Sequence, residues 1–170
     1  MTCINALVRS DCVHVMTDGE VCKFPDGLMT QTRSRVHVLA HTHAVIAVRG
    51  STYFAQSFTS YLDRVSLTGF DDLLSKVKAA ARFTIDELLL KRNPDGIAAT
   101  AKLIDLTRAD IVIAGWSHDR GCGETYKLDT SQLVWALEPQ GAKFMMPGDN
   151  FELYQSALTL THGVSRLRQI

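Results

Sequence analysis

Short apolar stretches separated by turn residues open the chain, two long stripes at helical spacing fill its middle, and short apolar stretches return after them. Thr2–Val8 (TCINALV) and Cys12–Met16 (CVHVM) are rich in β-forming residues, with a turn-like Ser10-Asp11 between them. They are predicted to pair as a hairpin whose second arm ends at Thr17-Asp18-Gly19, where the Asp-Gly pair carries turn chemistry. Lys23–Gly27 (KFPDG) is read as loop. Arg35–Leu39 alternates polar and apolar residues, whereas Ala44–Val48 is a continuous apolar run, as suits a strand covered on both faces. These two segments are expected to form a second hairpin turning at His41–His43.

Arg49-Gly50-Ser51 marks a change of period. Ser51 is a candidate N-cap for a helix from Thr52 towards Val65, with Phe54, Phe58, Tyr61, Leu62 and Val65 on one side. Gly69 ends that pattern, and a second helix from about Asp71 to Lys91 carries Leu73, Leu74, Val77, Ala80, Ala81, Ile85, Leu88 and Leu89 as a broad stripe. Asp71 and Asp72 suit its positive N-terminal end. Asn93-Pro94-Asp95-Gly96 stops it. Strands are then predicted at Asp110–Trp116, Glu124–Leu128 and Leu133–Leu137; Lys143–Met146 leads into Pro147-Gly148-Asp149, and Asp149 is placed to cap a last helix through Leu153, Ala157 and Leu160. Nothing divides the chain, so residues 1–170 are expected to form one α+β domain. Its order of strands, two helices, strands and helix is what two packed antiparallel sheets flanked by helices produce.

Composition narrows the function classes. Of 170 residues, 46% are hydrophobic and 21% charged, as in a chain that fills one core. Eighteen Lys and Arg balance eighteen Asp and Glu, which disfavours nucleic acid as the main partner. No apolar run approaches the ~18 to 20 residues that span a bilayer, and no leader pattern opens the chain, so a cytoplasmic location without membrane contact is expected. Cys3, Cys12, Cys22 and Cys122 form no C-x-x-C pair. His37, His41 and His43 could share one strand face, but no Cys, Asp or Glu beside them completes a metal set; neither metal nor cofactor is expected. Trp116-Ser117-His118-Asp119 holds the residue types of a hydrolytic triad in adjacent positions, which cannot converge as a triad must. It is read as a loop.

The start carries the most chemistry. A small residue at position two allows Met1 to be removed, leaving Thr2 at the N-terminus. Its α-amine, titrating near ~8, can then act as the base for its own hydroxyl. Asp18 returns to the same neighbourhood at the end of the partner strand, where a carboxylate could orient that network. A turn aspartate is the plainer account of Asp18 taken by itself.

The stretches MTCINALVRSDCVHVMTDG, AVIAVRGST and ADIVIAGWSHDRGCGETYKLD resemble the proteasome-type peptidases of the N-terminal nucleophile (Ntn) hydrolase superfamily. This group includes the proteasome β-subunit and the peptidase subunit of the bacterial two-component protease. Small bacterial and phage proteins opening with MTCI are similar too. The resemblance runs from Thr2 to about Asp149. It implies a four-layer αββα sandwich, a nucleophile at Thr2, a supporting carboxylate at Asp18 and an oxyanion-hole amide at Gly50. It also implies amide-bond hydrolysis through an acyl-enzyme, and homo-oligomeric assembly, with an ATPase partner left open.

The family's lysine has no lysine opposite it in QTRSRV; Arg35 (or Arg33) stands there, and a guanidinium keeps its proton. MMPGDNFEL offers no serine where the family has a Gly-Ser-Gly turn, and the chain ends at Ile170, sooner than the family's pattern. Two functions therefore stand beside each other: a threonine-type hydrolase acting on peptide or other amide bonds through Thr2, Asp18, Arg35 and Gly50, and a non-catalytic protein that keeps the fold for assembly or binding. A plain α+β ligand-binding domain is the third.

Overall fold

A computed structural model describes residues 3–18, 20–22, 29–32, 35–92, 107–132 and 135–146. The first hairpin forms as its pattern predicts, from β1 (Ile4–Val8) and β2 (Val13–Thr17), with Ile4 opposite Thr17 and Val8 opposite Val13. β3 (Glu20–Cys22) and β4 (Met29–Thr32) make a separate two-stranded ladder that the sequence pattern does not announce. β5 (Val36–Leu39) and β6 (Ala44–Gly50) form the second hairpin. Its turn is one 3₁₀ coil, Ala40–Thr42, closed by His43 in the left-handed conformation at φ 54°.

α1 (Thr52–Leu62) begins after Ser51, which has the extended backbone of an N-cap but makes no side-chain capping bond. It stops three residues before Val65, because Asp63 and Arg64 turn out of the helix with their amides donating to Thr59 and Tyr61 carbonyls. α2 (Phe70–Arg92) carries Asp71 and Asp72 in its first turn. Then come β7 (Ala109–Ser117), β8 (Cys122–Asp129), β9 (Leu137–Pro139) and β10 (Lys143–Met146). The strand expected at Leu133–Leu137 is displaced: within the described residues the ladder begins at Leu137 and runs on to Pro139. Trp135 is diverted to the helices, where the Arg82 guanidinium lies 5.2 Å from its ring centre and Lys78 Nζ donates to its carbonyl. The helix expected after Asp149 falls outside the described residues.

β5-β6-β7-β8-β9 form one antiparallel sheet and β10-β1-β2 another. Strand alternation divides the large sheet into two faces. Ala44, Ile46, Val48, Ala109, Ile111 and Ile113 turn towards α1 and α2 and form one buried cluster with Phe54, Phe58, Leu62, Phe70, Leu73 and Val77. Ala47 and Val112, on the opposite face, meet Ile4 of the small sheet, with Val15 packed against them. Three layers result: helices, five-stranded sheet and three-stranded sheet.

Candidate functional site

The open end of the first hairpin builds the carboxylate. Beyond the Ile4–Thr17 pair, Asp18 N–H donates to the Cys3 carbonyl at 3.3 Å, and Cys3 N–H donates to Asp18 Oδ2 at 2.9 Å. Asp18 is 9% exposed, and its buried Oδ1 has no hydrogen-bond partner among the described residues. A buried carboxylate oxygen left without a donor costs free energy unless something arrives to pair with it. Thr2, the residue next to Cys3, lies outside the described residues. Cys3 itself is buried, with Asn5 Nδ2 at 3.5 Å from its sulfur, so it packs as a small hydrophobe.

Two anchors fix the direction in which β1 crosses the large sheet. Val8 and Val13 lie over Gly123: a Cβ there would sit 2.6 Å from Val13 Cγ2 and 3.4 Å from Val8 Cγ1, so glycine is what lets the sheets approach. Ile4 lies over Ala47 and Val112. The N-terminal end of β1 is therefore aimed at the end of the large sheet where β6 finishes and β7 begins. Gly50 is there, paired with Ala109, and so is Arg35, because the next residue, Val36, pairs with Ala47. Register thus brings Asp18, Arg35 and Gly50 to one end of the sandwich.

Gly50 has φ 142°, and a Cβ on it would meet the Arg108 carbonyl oxygen at 2.5 Å. Backbone conformation and the close approach of β7 therefore both require glycine at this position.

The same end holds three residues that the sequence reading did not single out. Arg49 follows Ala47 on the inter-sheet face of β6, Asp110 precedes Val112 on β7, and Lys127 is directly opposite Val112 on β8. Arg49 Nε and Nη2 donate to Asp110 Oδ2 at 2.8 and 2.6 Å, and Lys127 Nζ reaches Asp110 Oδ1 at 2.9 Å. All three are half-buried. The available signal was a charge at the edge of each apolar run, in AVIAVRG and ADIVIAGW. Arg49 and Asp110 are 61 residues apart, so only the β6–β7 register reveals the pair.

At the opposite end of the sandwich, a cavity of about 380 Å³ opens between Asp11, Cys12 and Val13 on one side and His43, Ala44 and Trp116 on the other. Cys12 Sγ is 3.2 Å from His14 Nε2 and 3.4 Å from Asp11 Oδ1. Desolvation and the neighbouring Asp11 carboxylate push its thiol up from the ordinary range, which opposes a thiolate nucleophile. Of the histidine triplet, His37 is held by Asp63 at 2.8 Å and His43 meets His118 edge-on at 5.1 Å. Among the described residues no three His, Cys, Asp or Glu side chains gather as a metal site would require. Ser117 is the buried last residue of β7, and its hydroxyl donates to Asp71 at 3.0 Å, so the WSHD stretch serves the join between β7 and α2.

No protein-family model matches the sequence, and no curated protein matches it by sequence. Solved structures do match. Anbu (ancestral beta-subunit) from Yersinia bercovieri gives a TM-score of 0.58 at 14% identity, covering 88% of this chain and 62% of that one. Eukaryotic HslV from Trypanosoma brucei gives 0.51 at 16% identity, covering 86% and 71%. The chain thus spans less than two thirds of the length of the Anbu chain. At such identities the likeness is one of fold: the chain shares the mixed α+β architecture of these two solved structures.

Proposed function

We propose that this chain is a threonine-type Ntn hydrolase that cleaves peptide or other amide bonds. The observation that carries the reading is Asp18, buried at the mouth of the β1–β2 hairpin with Oδ2 spent on Cys3 N–H and Oδ1 without a donor among the described residues. Once Met1 is removed, the new α-ammonium or the hydroxyl of Thr2 supplies the kind of donor that oxygen lacks.

In the proposed cycle the neutral α-amine of Thr2 takes the proton from Oγ as Oγ bonds to the scissile carbonyl carbon. The Gly50 N–H stabilises the resulting oxyanion, an interaction commonly worth roughly 3 to 4 kcal/mol. Arg35 adds fixed positive charge but transfers no proton. Collapse of the tetrahedral species breaks the C–N bond, and the leaving amine departs with the proton held by the α-amine. Water, deprotonated by the same amine, then hydrolyses the Thr2 ester and restores the hydroxyl.

The reading extends to the full four-layer αββα sandwich, of which three layers are described, and to self-assembly, supported by a structural neighbour named as a subunit. An ATPase partner is left open. Among the described residues no helix is long and apolar enough to cross a membrane, and a cytoplasmic site of action is proposed with the rest. The competing reading, an Ntn-fold protein kept for assembly or binding, is favoured by Gly50, whose glycine packing already explains, and by Arg35 in place of a lysine. Intact-mass measurement on protein from its native host, before and after treatment with a β-lactone, separates the two. Loss of Met1 and a single adduct at Thr2, abolished in Thr2→Ala, support the hydrolase; uniform retention of Met1 excludes it.

A further inference from the structure

We propose that Thr130 is a positioning residue for the Gly50 amide: its hydroxyl holds the peptide on which Gly50 rests and so sets the direction of that N–H. This inference rests on the hydrolase reading, in which the Gly50 N–H stabilises the oxyanion, and names a residue on which that role depends.

β8 stops one residue before Thr130, and a side chain carries the β7–β8 ladder past its end. Asp110 pairs with Asp129. Beyond them Thr130 N–H donates to the Ala109 carbonyl at 2.9 Å, as in a regular pair, but the Ala109 N–H is accepted at 2.7 Å by Thr130 Oγ1 in place of the Thr130 carbonyl. The hydroxyl proton has the Thr107 carbonyl at 2.9 Å as its nearer acceptor and the Ala109 carbonyl at 3.1 Å as its farther one. Thr130 is buried, so a partner lost there is not replaced from solvent.

Two consequences reach Gly50. Ala109 spends both main-chain groups on the β8 side, so ladder alternation makes Arg49–Asp110 the hydrogen-bonded pair with β6 and Gly50–Ala109 an open one. The Gly50 N–H is thereby turned away from β7 and towards the β5 side of the sheet, where Arg35 precedes β5. The Arg108–Ala109 peptide, with its N–H held by Thr130, turns its carbonyl the other way, because N–H and C=O of a trans peptide point in opposite directions. The Arg108 oxygen then lies against Gly50, 2.5 Å from where a Cβ would stand, and Gly50 takes φ 142°. The contacts run from Thr130 Oγ1 through Ala109 N–H and Arg108 C=O to Gly50, and glycine, lacking a Cβ, follows any tilt of the peptide against it.

The test follows acylation of the mature chain by a β-lactone, with intact mass as the readout and the rate resolved into a maximal rate and a half-saturating concentration. Thr130→Val keeps the shape and removes the hydroxyl. Its maximal rate should fall about tenfold to a hundredfold, as a misdirected oxyanion donor implies, with half-saturation within about twofold of wild type. Thr130→Ser, which keeps the hydroxyl, should return the rate. Thr130→Cys, whose sulfur is a weaker acceptor, should lie between, and it carries the test if Thr130→Val does not fold. Ser117→Ala, which loses the bond to Asp71 at the other end of β7, should lower stability and leave the rate alone. An undiminished maximal rate in Thr130→Val, or in Thr130→Cys in its stead, overturns the proposal, as does a fall that Thr130→Ser fails to reverse or an equal fall in Ser117→Ala. In each of these cases the wild type still takes the lactone, and only the positioning role is lost. A wild type that takes no lactone removes the hydrolase reading, and this proposal with it.

Discussion

Asp18 separates two jobs that one side chain does at the hairpin mouth. Its Oδ2 holds the Cys3 amide, which is structural, while its Oδ1 meets no donor among the described residues and is the oxygen to which the proposed function gives a catalytic role. Asp18→Asn keeps an acceptor for Cys3 N–H but loses the charge, so thermal unfolding should stay close to wild type while peptide hydrolysis falls by an order of magnitude or more. Asp18→Ala strands the buried amide and should also destabilise the fold by about 1–3 kcal/mol. If Asp18→Asn retained full activity, the carboxylate would be a strand-end fastener and nothing more. Gly50→Ala is expected to unfold at lower denaturant by at least about 1 kcal/mol, because alanine at φ 142° is strained and its Cβ meets the Arg108 carbonyl. Asp18 was legible in the sequence because hairpin spacing alone returns it to the start of β1. Arg49, Asp110 and Lys127 were not, since the first two read as charges at the ends of apolar runs and Lys127 as one polar residue of the mixed stretch GETYKLD until strand register sets them side by side.

Between elements, the β7–β8 hairpin is tied to α2 by a polar network at its turn. Asp71, in the first turn of α2, accepts from Ser117 Oγ and from Arg120 Nη2 at 2.6 Å. The Arg120 guanidinium also holds both oxygens of Glu124, at 2.5 and 2.6 Å, and the Tyr126 hydroxyl donates to the same carboxylate at 3.1 Å. The hydrogen bond from Arg120 is the largest reason that Glu124 titrates below its ordinary range. A carboxylate with a depressed folded-state pKa adds stability that is complete above its unfolded value and is lost as pH falls through the folded one. The stability gap between wild type and Glu124→Gln should therefore be full at neutral pH and shrink as the pH falls below the ordinary glutamate range. Denaturant titrations at a series of pH values measure it; a gap that stayed constant to the acid end would mean that Glu124 is not held as described. None of this network could be read from periodicity, which does give α1, α2, β7 and β8 close to their observed bounds. β9 was misplaced because Trp135 looks like a strand residue and instead covers a helix. β3 and β4 are too short to raise a signal above the turn residues around them.

Across the whole molecule the two interfaces of the large sheet are unequal. Eighteen buried residues form the cluster it shares with α1 and α2, whereas the seam with the small sheet has Ile4, Ala47 and Val112 with Val15 against them, among the described residues. Local opening is least costly where buried apolar area is smallest. Amides of β1, β2 and β10 should accordingly exchange with deuterium before those of β6, β7 and β8, although all six strands are hydrogen-bonded on at least one side. The difference bears on the proposed function, because Asp18 belongs to the small sheet and Arg35 and Gly50 to the large one. On the proposed reading the site is divided across the weaker seam and is complete only while the sheets stay closed. If Thr2 is the nucleophile, acylation by a β-lactone should therefore slow exchange in β1 and β2, with β6 and β7 little changed. Unchanged exchange in β1 and β2 after acylation would mean that an acyl group at the hairpin mouth does not reach across the seam, and that the two sheets close independently of the proposed chemistry.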